Sequence, residues 1–94
     1  MRNRVRLFNY GNYSSDNYGS CRAIQIGTLT LYFSYETVIA FQEGFKDLVI
    51  RENDWGPTTG KHLNWICKDK SIRISGKEFE EKLEEVLKEH NLEV

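Results

Sequence analysis

The sequence predicts an α+β domain: an antiparallel, strongly twisted sheet of about five to seven strands in consecutive hairpins, packed by one C-terminal helix. Three observations carry that reading. Apolar residues alternate on either side of the dipeptide Gly27-Thr28. Two short apolar runs, 38–41 and 48–50, are rich in β-branched residues. From Ser75 onward the apolar period changes to that of a helix, with a start signal and a stop signal in place.

Met1 to Phe8 alternates, with Val5 and Leu7 on one side, and reads as an opening strand. Asn9 to Ser20 follows as a loop of Asn, Tyr, Ser and Gly. In the first hairpin Gly27 takes the first place of a two-residue type II′ turn. That register sets Ile26 opposite Leu29 and Ile24 opposite Leu31, so all four side chains share one face.

A second hairpin turns at Glu43-Gly44 and pairs Ile39 with Leu48, Val38 with Val49 and Glu36 with Arg51. Its two runs are apolar on both sides, as in strands covered on both faces. A third hairpin sets Leu63 and Trp65 against Ile74 and Ile72 across Lys68-Asp69-Lys70. The helix spans about 76–90. Ser75 is its N-cap and Glu78 the capping-box partner. Phe79, Leu83, Val86 and Leu87 form its apolar stripe, and Asn91 stops it.

The whole chain, 1–94, reads as one domain, with the sheet region over 1–74. One helix cannot cover both faces of such a sheet. The expectation is that the long aromatic loops cover the rest, an uncovered face being the mark of a homodimer.

Composition narrows the function classes. With 39% hydrophobic and 29% charged residues the 94-residue chain is ordinary for a globular domain. The net charge of −1 and the pI near 6.1 give no global attraction to nucleic acid. No run approaches the ~20 apolar residues of a membrane span, and no signal-peptide pattern opens the chain, so a cytoplasmic location is expected. Cys21, Cys67, His62 and His90 match no spaced zinc pattern. No metal site, cofactor or catalytic set is expected.

Two segments carry the candidate contact residues. The first, from Asn9 to Ser20, holds Tyr10, Tyr13 and Tyr18 in a polar frame suited to adaptable contacts or base stacking. In the purely structural reading these tyrosines close the sheet face and bond backbone groups. The second runs from Asn53 to His62 and contributes Trp55, Thr58, Thr59, Lys61 and His62. Gly56 to Lys61 imitates a phosphate loop, but its glycines are four apart instead of five, and His62 stands where Ser or Thr belongs. A strand is expected to follow instead of a helix. An anion-binding nest built from Thr58, Thr59, Lys61 and His62 is the weaker form of that idea. The structural alternative is a rigid turn with Trp55 plugging the core.

The segments NYSSDNYG, TLYFSYETVIAF, LVIRENDWGPTTGKHLNWI and EFEEKLEEVL, spanning about Asn9 to Leu87, resemble a small uncharacterised domain of bacteriophage, virus-associated and other prokaryotic mobile-element proteins. The resemblance implies a small accessory protein and carries no assigned activity or site residues. The expected function is a non-enzymatic binding module for a protein or nucleic-acid partner. Nucleotide or phosphate binding or sequestration through the Thr58–His62 loop, or a small phosphodiesterase-like activity there, is the alternative.

Overall fold

The computed structural model describes residues 5–11 and 21–92. Five strands form one antiparallel sheet in chain order: β1 (Val5–Asn9), β2 (Arg22–Ile26), β3 (Leu29–Ser34), β4 (Thr37–Glu43) and β5 (Val49–Ile50). Two helices follow, α1 (Pro57–Ile66) and α2 (Gly76–Glu89). The β2–β3 hairpin has the register that its sequence dictates, Ile26 opposite Leu29 and Ile24 opposite Leu31. Of its two turn residues only Gly27 has positive φ, at 61°, as a type II′ turn requires.

The β4–β5 register differs from the expected one. Ala40 lies opposite Ile50 and Phe41 opposite Val49, because residues 44–48 make a wider connection than a two-residue turn. The β3–β4 pairing carries a bulge. Tyr32 pairs with Ala40 while Phe33 pairs with Val38, so Ile39 is the extra residue. Bulges place consecutive residues on one side of a strand. Ile39 and Ala40 accordingly pack together in one cluster, away from Val38 and Phe41.

The third hairpin does not form. Leu63 and Trp65 lie in α1, and Lys70–Ile72 is a single 3₁₀ turn. Asp69 caps that turn, accepting from the Ser71 amide at 3.0 Å and its hydroxyl at 2.6 Å; these bonds hold its carboxyl below the usual value. Ile74 makes an isolated parallel bridge to Arg51, outside β5. The alternation Leu63-x-Trp65 imitates a strand, but Thr59, His62, Leu63 and Ile66 recur at helical spacing, and Pro57 sits at N1, where its missing N–H costs nothing. Ten residues with Gly60 inside are too few for a stable isolated helix. The buried side chains Thr59, His62 and Leu63 anchor α1 to the sheet.

Each helix covers one face. α2 packs Phe79, Leu83, Val86 and Leu87 on Leu29, Leu31 and Phe41. Its caps are those the sequence specifies. Ser75 Oγ accepts from the Glu78 amide at 3.2 Å, and Asn91 stands in the left-handed region with φ 58°. The Leu92 amide bonds Leu87 carbonyl at 2.8 Å and the Asn91 amide bonds Lys88 carbonyl at 3.0 Å, a complete Schellman ending. On the opposite face α1 sets Leu63 against Ile39, Ala40 and Ile50. The second face is thus covered chiefly by a helix formed from one of the two segments expected to be loops.

Candidate functional site

The α1 face ends at the β3–β4 turn, Tyr35-Glu36. Tyr35 has φ 56°, in the place that type II′ turns reserve for glycine. Holding a bulky residue there costs about 1–3 kcal/mol, and such strain clusters at functional sites. At this turn Tyr35 is 61% exposed.

Directly below, Ser34 Oγ lies 2.7 Å from His62 Nδ1 and 3.2 Å from Thr59 Oγ1. All three side chains are buried, His62 at 2% and Ser34 at 4% exposure. Imidazole and two hydroxyls so placed satisfy one another, as buried polar groups must. Aromatic rings enclose the imidazole: Trp65 at 5.6 Å, Tyr35 at 5.9 Å and Tyr10 at 6.4 Å between centroids. Tyr10 also stands edge-on to Tyr32 at 5.5 Å and donates to the Phe33 carbonyl at 2.7 Å. Burial raises the Tyr32 hydroxyl's pKa. A Cβ on Gly11 would meet Cys21 Sγ at 2.5 Å and Trp65 at 3.0 Å, so only glycine fits this packing.

Between the β3–β4 turn and the start of α1 is a cleft of about 90 Å³, lined by Ser34, Tyr35, Thr37, Ile39, Trp55 and Thr59. The bulge delivers Ile39 to its floor. Trp55 forms its outer wall, 48% exposed. Trp55 does not plug the core, because its ring stacks on the Arg51 guanidinium at 4.5 Å. Arg51 is itself buried and paired with Asp54 at 2.7 Å and Glu80 at 3.1 Å, which fixes the segment carrying Trp55 to α2.

The sequence-derived candidates therefore divide. Helical spacing turns Thr59 and His62 inward and leaves Thr58 and Lys61 exposed. Tyr10 is a half-buried packing residue, and Trp55 borders the cleft. Tyr13 and Tyr18 lie outside the described residues. Ser34 and Tyr35 are additions. Their sequence signal is weak: a polar residue ending an apolar strand, followed by a turn-length gap before the next. The Gly56–Lys61 segment itself opens a helix that runs on to Ile66, where a strand was expected, with Gly56 as N-cap and no side-chain cap. Among the described residues no group of three His, Cys, Asp or Glu side chains is placed to hold a metal ion, and no helix is long and apolar enough to cross a membrane.

Fold and site together define a small α+β domain: a five-stranded antiparallel meander with a helix on each face and an aromatic-walled cleft at one end. No curated protein and no solved structure matches it. The chain belongs to DUF8033, a family of unknown function whose model matches residues 3–81, from before β1 into α2 and across the whole cleft.

Proposed function

We propose that the domain is a non-enzymatic binding module that engages a protein partner through the Tyr35–Trp55 cleft. One observation carries this reading. Two exposed aromatic residues border a cleft whose buried Ser34 and Thr59 hydroxyls already pair with each other. Rigid aromatics of this kind are the usual anchors of protein interfaces. The close Ser34–His62 pair favours architecture over catalysis, since both groups are almost wholly withdrawn from solvent. A net charge of −1 supplies no global form of the phosphate attraction that dominates nucleic-acid binding. The nucleotide or phosphate alternative needs Thr58, Thr59, Lys61 and His62 to converge, and α1 distributes them to opposite sides. The setting of this reading, an accessory protein of a virus or mobile element acting in the cytoplasm, is carried by the sequence resemblance.

The test is capture from nuclease-treated lysate with wild type, Tyr35→Ala and Trp55→Ala, each checked for folding by circular dichroism. One protein should be retained after nuclease and in high salt, and Tyr35→Ala should weaken its binding by about 2 kcal/mol or more. Capture that vanishes with nuclease, or that Tyr35→Ala leaves unchanged, refutes the reading.

A further inference from the structure

The surroundings of the Tyr35–Trp55 cleft restrict what can occupy it. It lies at the turn between β3 and β4, both internal to the sheet, so no strand edge is offered there for an added strand. Its volume of about 90 Å³ holds one anchor, whereas a docked helix needs a row of them. That volume is also below the ~150 Å³ that takes a benzene ring. An anionic motif needs clustered arginines. Arg51 is buried, stacked on Trp55 and already held by Asp54 and Glu80. A cation inside the cleft is disfavoured too, since the Trp55 ring already carries that guanidinium at 4.5 Å. Around the mouth are hydrogen-bond donors. The Trp55 indole N–H, the Tyr35 hydroxyl and the Thr37 hydroxyl have no hydrogen-bond partner among the described residues, while Ser34 and Thr59 bond each other. The exposed charges adjoining them in the chain are negative: Glu36 stands between Tyr35 and Thr37, and Asp54 precedes Trp55.

Resting on the binding role argued above, we propose that the cleft takes one proline of an extended, polyproline II segment of the partner, with a basic residue beside it. Such a segment arrives with its conformation already set, so little ordering entropy is lost, and its carbonyls are not bonded internally. Aromatic-walled slots are where these segments dock. The ring of one proline suits the space bordered by Tyr35, Trp55 and Ile39, and the three donors at the mouth suit the carbonyls on either side of it. Glu36 gives a neighbouring lysine or arginine of the partner its complementary charge. The Trp55 wall is set before any ligand arrives. Asn53 Oδ1 accepts from the Trp55 amide at 2.9 Å, and Asn53 Nδ2 donates to the Gly56 carbonyl at 3.1 Å. A slot of fixed width discriminates by ring size and shape better than one that must form around its ligand.

Nuclear magnetic resonance titration of the full chain tests this, reading the Trp55 indole N–H resonance, which Trp55→Phe assigns. The probes are three synthetic peptides: alternating proline and alanine flanked by lysines, the same core flanked by glutamates, and an alanine-only core flanked by lysines. The first should shift the resonance saturably. Glutamate flanks should weaken binding about threefold and the alanine core about tenfold. Tyr35→Ala should remove the saturable shift, and the peptide comparison on wild type keeps the test valid if that variant fails to fold. No shift with the first peptide at millimolar concentration, equal binding of the alanine core, or equal or tighter binding of the glutamate-flanked peptide overturns the proposal. So does a shift on concentrating the protein alone, which would put a second copy in the cleft. Capture from lysate reads the broader role separately: if it persists and still depends on Tyr35 while the proline peptide fails, the ligand class is wrong and the binding role stands.

Discussion

The two faces of the sheet are built on different principles. Under α2 the contacts are Phe79, Leu83, Val86 and Leu87 on Leu29, Leu31 and Phe41, with the buried Arg51 guanidinium at the margin, 5.7 Å from the Phe79 ring. Under α1 the cover is a ten-residue helix, and a serine, a threonine and a histidine are buried beside its apolar contacts. The first arrangement obtains stability chiefly from apolar area and tolerates exchange among apolar shapes. The second depends on every partner being in place, because an abandoned polar group in the interior costs more than its bond contributes. Stability is concentrated under α2 and geometric definition under α1, next to the cleft.

Substitutions can break that contrast. Phe79→Ala should show the largest effect, a loss of about 3–5 kcal/mol in urea unfolding, since Phe79 is fully buried at the centre of the α2 cluster. Ser34→Ala should cost about 1–3 kcal/mol by leaving the buried imidazole without its hydroxyl. Adding His62→Phe to it should cost less than the two single changes summed, as a double-mutant cycle would show. If Ser34→Ala is neutral, the α1 face is held by packing alone and the contrast fails.

Tyr35→Gly sharpens the distinction between strain and stability. Relief of the left-handed backbone should leave stability unchanged or raise it by about 1 kcal/mol, while capture of the partner is lost. The smallest effect belongs to the α2 face. There the His90 hydrogen bond, aided by Lys46, lowers the Glu43 carboxyl's pKa, with His90 Nε2 2.7 Å from Glu43 Oε2. A carboxyl whose folded pKa is depressed stabilises the fold above its ordinary titration range, and that contribution is lost as pH falls through the folded value. Glu43→Gln should therefore flatten the acid limb of a melting-temperature profile and leave the rest unchanged.

The same contrast explains what was legible in the sequence. The β2–β3 hairpin and α2 could be read because pattern, turn chemistry and caps agree there: Gly27 at the turn, Ser75 and Asn91 at the helix ends. The α1 face could not. Thr58, Thr59 and Gly60 are poor helix formers, Leu63-x-Trp65 alternates like a strand, and only packing on Ile39 and Ile50 settles the matter. Pro57 at N1 and the helical spacing of Thr59, His62, Leu63 and Ile66 were the local signals that favoured a helix. The second hairpin's register was lost to the wide 44–48 connection. Trp55 was legible as part of the site, whereas Ser34 and Tyr35 were not, because a buried hydroxyl and a strained turn residue are defined by neighbours distant in sequence.

Ile39 has one more consequence. A strand's side chains alternate between faces, and the bulge absorbs one additional residue by setting Ile39 and Ala40 on the same side. Excising Ile39 would leave Val38, Ala40 and Phe41 alternating on the faces they now occupy, so the sheet could close over the gap. What would go is the floor of the cleft, which the extra residue supplies.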